Sequence, residues 1–224
     1  MNIYDIIGPV MVGPSSSHTA GAVRIGLTAR KLLKERPINA SIAMHGSFAA
    51  TYRGHGTDRA LVAGILGMKP DDMRIPDSFM LASEEGLIFN FSKTDIKDAH
   101  PNTVLISLSG ITGRHIDVQA SSIGGGRIMI NKLDGIDVNF NGESPTLVVH
   151  NMDTPGHVAM ITDALFKSGI NIAAMQLYRS ERGGYAVMVL EVDQKIPAGT
   201  VQTIESYDGV LKVTYIDGGD ENAI

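Results

Sequence analysis

Apolar positions along the chain recur with helical spacing in some blocks and as short β-rich runs in others, with turn formers between them. The N-terminal region is predicted to hold a pair of helices, from about residue 20 to 35 and from about residue 58 to 66. Each follows a loop of small polar residues that holds one histidine. Runs at 40–44, 87–91, 103–109, 115–120 and 127–132 are strand candidates. The mixture predicts an α+β unit, and the pattern leaves its strand order open.

The clearest seam is Asn141-Gly142-Glu143-Ser144-Pro145, a cluster of turn formers. Beyond it a strand is expected at 146–150, then a helix capped by Thr154 with Pro155 at its first position. Val158, Ile161 and Leu165 fall on one face of that helix, and Gly169 stops it. Strands at 170–179 and 184–193 meet around Gly183-Gly184. Pro197 opens a second helix carrying Val201 and Ile204, and a last strand runs over 210–216. The order βαββαβ is the ferredoxin-like arrangement. Two domains are expected, 1–140 and 146–224.

Composition narrows the function classes. A chain of 224 residues allows one large or two small domains, and 43% hydrophobic residues suffice for a core and argue against disorder. A net charge of −5 without a run of Lys or Arg speaks against nucleic acid and anionic membranes as partners. The absence of cysteine excludes disulfides, a thiol nucleophile, zinc thiolates and iron–sulfur ligands from this chain. Residues 1–7 carry no basic segment, Pro9, Gly13 and Pro14 interrupt the first apolar run, and no stretch nears the roughly 20 apolar residues of a membrane span. A soluble cytoplasmic protein is the expectation.

Chemistry concentrates in a few stretches. In Gly13-Pro14-Ser15-Ser16-Ser17-His18-Thr19-Ala20-Gly21, hydroxyls and an imidazole meet the start of a helix, where free amides favour a carboxylate or phosphate. Gly54-His55-Gly56-Thr57-Asp58 repeats the theme, and glycines on both sides let a ligand approach His55. Helix caps on solvated loops explain either stretch alone; two of them favour a shared pocket in which a histidine pair divides general-base and orienting work. His100-Pro101-Asn102 is a weaker signal. Ser121-Ser122-Ile123-Gly124-Gly125-Gly126 fits a tight turn and lacks P-loop spacing. His45, His115 and His150 lie in or beside apolar strands and read as structural, whereas His157 reads as a surface residue. Neither H-E-x-x-H nor G-x-S-x-G occurs.

These residues together resemble the β subunit of the iron–sulfur-dependent L-serine dehydratases. The likeness is carried by Asp5-Ile6-Ile7-Gly8-Pro9-Val10-Met11, the Ser15-Ser16-Ser17-His18-Thr19 and Gly54-His55-Gly56-Thr57-Asp58 stretches, and Gly46-Ser47-Phe48. His100-Pro101-Asn102-Thr103 and Ser122-Ile123-Gly124-Gly125-Gly126 extend it. His45 departs from the pattern, which carries an aromatic residue there. The tail is similar to an ACT domain, a ferredoxin-like module that binds amino acids between paired copies.

The resemblance implies a lyase turning L-serine into pyruvate and ammonia, with a [4Fe–4S] cluster. Without cysteine here, the cluster belongs to a separate α subunit. It implies an allosteric-substrate-binding-like first domain, shared with some phosphoglycerate dehydrogenases. His55 becomes the base and His18 a second catalytic histidine. Ser15, Ser16, Ser17 and Thr19 hold the substrate carboxylate, and His100 and Asn102 assist binding. In the tail, Asn151, Asp153 and the helix start at Gly156 are expected to take a small amino acid such as L-serine, with Asn171 and Ile172 serving the ligand of a neighbouring copy. Homodimerisation through the tail or the first domain is expected. The rival reading is a purely regulatory amino-acid-binding subunit; a phosphate-binding enzyme is weaker, because the serine-rich loop lacks a lysine.

Overall fold

The structure, a computed structural model, describes residues 10–218 and forms two compact units, one up to Asp134 and one from Gly135 on. Asp5 to Pro9, the first five residues of the stretch that begins at Asp5, therefore lie outside the described residues. In the first unit a π-helical turn, Ser16–Ala20, runs directly into α1 (Gly21–Leu33). There follow β1 (Pro37–Met44), α2 (Gly46–His55), α3 (Thr57–Ile65), α4 (Ser78–Glu84), β2 (Ile88–Lys93), β3 (Thr103–Gly110), β4 (His115–Gly124) and β5 (Arg127–Leu133). The strands of this unit lie in the order β2-β1-β3-β4-β5, with β1 and β2 parallel and the other pairs antiparallel.

Period-two alternation gives this sheet one apolar face. Ile42 and Met44, Val104, Ile106 and Leu108, and Ile116, Val118 and Ala120 are buried in register, and α1, packed on β3, β4 and β5, brings Val23, Ile25, Ala29 and Leu32 to the core. The other face is polar. There Ser109 and Asp117 hydrogen-bond His115 at 3.2 and 3.1 Å, so His115 is a half-exposed rung of a cross-strand ladder.

Helices α1 and α3 run side by side in the same direction, and two glycines set their distance. A Cβ on Gly26 would stand 2.3 Å from the Leu61 carbonyl oxygen, and one on Gly64 would stand 2.1 Å from that of Val23. Arg30 fastens the far end by donating to the Ile65 carbonyl at 2.9 Å.

The two predicted helices and five strands of this unit are present. The histidine loops are corrected: His18 sits inside the π-turn, and His55 is the last residue of α2, a helix the pattern does not show. Only Phe48 and Ala49 of α2 are buried, so no apolar stripe betrays it. Helix α4 escapes for the same reason, with seven residues and only Ser78 and Ala82 buried.

The second unit contains β6 (Ile136–Phe140), β7 (Pro145–Met152), α5 (His157–Lys167), β8 (Ile172–Arg179), β9 (Tyr185–Val192), α6 (Ala198–Glu205) and β10 (Val210–Asp217). Strand order β10-β7-β9-β8, antiparallel throughout, is the ferredoxin-like sheet, and β6 packs on β8 and β9. Its core joins Leu147, Val149, Ile161, Leu165, Met188, Leu190, Ile204 and Val213. Helix α5 starts later than expected, at His157 with Gly156 as its cap. The Thr154 hydroxyl lies 3.0 Å from the His157 imidazole instead of capping an amide. This start turns Val158 outward, 38% exposed, and turns His157 inward, 5% exposed, where its Nε2 donates to the Asp208 carbonyl at 3.0 Å. His157 is thus a buried clasp between two loops, not a surface residue.

Gly26→Ala and Gly64→Ala are each expected to cost about 1–3 kcal/mol of stability, because the added methyl meets backbone that cannot step aside. Gly199→Ala in α6, where an added Cβ meets nothing within 4 Å, should be neutral or slightly stabilising. Chemical denaturation of the three variants checks the contrast, and equal midpoints would contradict the close helix approach.

Candidate active site

The shared origin of the site is the paired start of α1 and α3. Ser15, in extended backbone, caps the π-turn: its Oγ accepts from the His18 amide at 3.2 Å and its carbonyl from the Thr19 amide at 2.8 Å. Two amides that the sequence offers to a carboxylate are therefore already bonded. π-turns gather at functional sites because the wider turn re-aims a side chain. Here the His18 ring packs edge-on against Phe48 and His55, with centroids 5.4 and 4.8 Å away. Its Nε2 lies 3.1 Å from Ser47 Oγ and its Nδ1 3.4 Å from Ser15 Oγ.

Burial, and after it the neighbouring His55, hold the His18 imidazole below the ordinary histidine range. It is neutral at pH 7. His55 is exposed, at the end of α2. Gly56 alone separates that helix from α3, and its φ of +68° suits glycine rather than any side chain. That single residue swings the chain from one helix into the next while leaving His55 beside His18.

The 100–102 segment is tied into the same place. Ser47 donates its amide to the Pro101 carbonyl at 2.8 Å, and the Ser122 amide donates to the Asn102 carbonyl at 2.9 Å. The His100 imidazole is exposed and folded onto its own loop, its Nδ1 accepting from the Asn102 amide at 3.1 Å. Ser16 and Ser17 stand half-buried in the π-turn. Thr19 Oγ1, Asn102 Oδ1, Ser122 Oγ and Thr57 Oγ1 are buried without a hydrogen-bond partner. Each such atom costs about 1–3 kcal/mol unless something pairs it; of the four residues, Thr19 is the one that borders a cavity beside His55.

Two cavities flank His55. One of about 540 Å³ is bordered by Thr19, Arg53, His55, Asp58, Arg59 and Phe79. The other, about 510 Å³, lies along Thr51, Tyr52, Arg53, His55 and Lys93. Ser47, Thr57 and Ser122 are the residues that sequence reasoning does not assign to the site. Ser122 and Thr57 are visible there only as members of a turn and a cap, and Ser47 only within Gly46-Ser47-Phe48. Among the described residues no three His, Asp or Glu side chains gather as metal ligands, and the chain has no cysteine. The residues present do not fit an iron–sulfur cluster.

In the tail, Asn151 is 2% exposed, donates Nδ2 to the Met152 carbonyl at 2.7 Å and leaves Oδ1 unpaired. Asp153 accepts from the Gly183 amide at 3.0 Å and from Arg179 at 3.2 Å. The Gly183 bond first, and Arg179 with it, hold this carboxyl below the usual carboxylate range. Asn151, Asp153 and Gly156 share one corner. Asn171, bonded to Asp193 at 2.6 Å, and Ile172 stand at the far end of the sheet, since Asn151 faces Ala186 on β9 whereas Ile172 faces Val192. Six strand residues span about 20 Å, so a single copy does not bring the two sets onto one amino acid.

The sequence is similar to those of known proteins. The family profile "Serine dehydratase beta chain" matches residues 2–85, and that of the ACT domain matches residues 146–209. A Bacillus subtilis protein named "Probable L-serine dehydratase, beta chain" is 39% identical over 96% of this chain and 97% of its own length. The "L-serine dehydratase, beta chain" of Peptoniphilus asaccharolyticus is 37% identical over the same shares. A Bacillus subtilis "D-3-phosphoglycerate dehydrogenase" is 24% identical over 88% of this chain and 37% of its own.

The lowered His18 pKa has a measurable sign. As pH falls below about 6.5, an unfolded His18 takes up a proton that the folded chain resists, so stability declines until the folded pKa is passed. His18→Gln is expected to flatten the acid limb of the denaturation midpoint between pH 7 and 5. A limb of unchanged slope would mean that the ring titrates freely.

Proposed function

The chain belongs to the serine dehydratase beta chain family, and we propose that it is the β subunit of a two-chain L-serine ammonia-lyase producing pyruvate and ammonia. The observation that carries the reading is the contact between two imidazoles of unlike environment, one neutral and doubly hydrogen-bonded, the other open to a cavity. Eliminating water from serine begins with loss of a weakly acidic α-proton, which needs a positioned base. His55, at the cavity, takes that proton. The electrons of the Cα–H bond form the Cα=Cβ bond while the Cβ–O bond breaks, its electron pair leaving with the hydroxyl, which takes up a proton and departs as water. The enamine tautomerises to an imine, whose hydrolysis releases ammonia and pyruvate.

His18 supports this step as a neutral imidazole. Being uncharged, it does not repel the proton that His55 gains, and its hydrogen bonds to Ser15 and Ser47 keep the ring edge-on to His55. Thr19 and Asn102 present their unpaired oxygens to the substrate, with Ser15, Ser16, Ser17 and His100 bordering it. The chain supplies no thiolate, so we assign the [4Fe–4S] cluster to the cysteines of an α subunit. The tail, an ACT domain, binds L-serine or another small amino acid at the Asn151 corner, with Asn171 and Ile172 of a second copy closing the site. Among the described residues no helix is long and apolar enough to cross a membrane, and we place the protein in the cytoplasm.

Assembled with its α subunit, the enzyme should lose about 10²–10⁴-fold in kcat on His55→Ala, with little change in thermal midpoint because the ring is exposed. His18→Ala should lose similar activity and some stability. The chain alone should release no ammonia from L-serine. Turnover without a partner, or full activity of His55→Ala, would refute the catalytic assignment.

Calorimetric titration of the full chain with L-serine should give saturable heat, and Asn151→Ala should remove the tail's share of it. Silence toward serine and other small amino acids would make the tail a purely structural interface.

A further inference from the structure

We infer that Arg59 is the cation that reads the substrate carboxylate, so that the cavity beside His55 selects zwitterionic α-amino acids. The inference rests on the reading of this cavity as the substrate site. The serine-rich turn has spent the His18 and Thr19 amides on Ser15, so a carboxylate needs another counter-charge. In the 540 Å³ cavity the cations are Arg53 and Arg59, and the helix ends distinguish them. Arg53 lies in the last turn of α2, where the carbonyl end of the helix partly offsets its charge. Arg59 lies in the first turn of α3, where the positive end of the helix adds to it.

Arg59 is also held ready. Its guanidinium sits 5.9 Å from the centre of the Phe79 ring, which itself packs at a tilt against Phe89 with centroids 5.0 Å apart. The Arg59 carbonyl accepts from Ser78 Oγ at 2.9 Å, anchoring the backbone beneath it. A guanidinium parked on a ring keeps its N–H edge free for a carboxylate. Thr19, 3% exposed, borders the same cavity with its hydroxyl unpartnered and supplies a neutral donor. Asp58, beside Arg59 on the cavity wall, presents the charge an ammonium group requires.

The test compares L-serine with L-serinamide, which keeps the ammonium and hydroxyl but not the carboxylate, in the two-chain enzyme. Arg59→Gln should raise KM for L-serine roughly 10- to 100-fold, the worth of a charge-assisted pair, and leave KM for L-serinamide within about threefold. Arg59→Lys should recover some of the loss, and Arg53→Gln should do less than Arg59→Gln. Calorimetry in an Asn151→Ala background, where the tail adds no heat, should show the same selective loss without turnover. An unchanged KM for L-serine, an equal rise for both compounds, or a fall in kcat alone would overturn the assignment. A wild-type enzyme that binds L-serine here with Arg59 dependence but does not release ammonia would refute the lyase reading and sustain this one.

Discussion

The close approach of α1 and α3 is the constraint on which the site depends. Gly26 and Gly64 let each helix backbone rest against the other, and nothing larger fits. Because the two helices are parallel, closing that gap also brings their leading ends together. Those ends are the π-turn with His18 and the Gly56 turn behind His55. A ring contact of 4.8 Å is thus set by packing several turns away, in a dry interface that solvent does not soften.

Around that contact the protein tolerates an unusual polar density. Thr19, Thr57, Asn102 and Ser122 each withdraw an oxygen from water without returning a partner to it. A core evolved for stability alone would replace such atoms by apolar ones. Their position on segments joined to one another through Ser47, Pro101 and Asn102 connects the cost to a single place rather than to scattered defects.

Much of this is legible in the sequence, for reasons specific to each element. Helices α1 and α3 and all the central strands bury long apolar stripes, and a stripe is what periodicity detects. The order βαββαβ is readable because Gly169 and Pro197 punctuate it. Helix α2 is invisible, since Phe48 and Ala49 are its only buried residues. Both histidines therefore read as loop residues, although one belongs to a π-turn and the other ends a helix. His18 and His55 themselves stand out by their neighbours in sequence. Ser47 does not, because its value lies in a contact 29 positions away. His157 misleads for a like reason: its clasp on Asp208 spans 51 positions and leaves no local trace.

Gly56 carries a consequence for how this protein can change over evolutionary time. With one residue between α2 and α3, there is no slack to absorb an inserted or deleted amino acid. An α-helix turns about 100° per residue, so adding one position within α2 would carry His55 a quarter-turn or more away from His18. The hairpin turn between β3 and β4 lies far along the chain from this junction and is free of that restriction. Length variation among descendants of this chain should therefore collect in its hairpins, while the count of residues from Gly46 to Ile65 stays frozen.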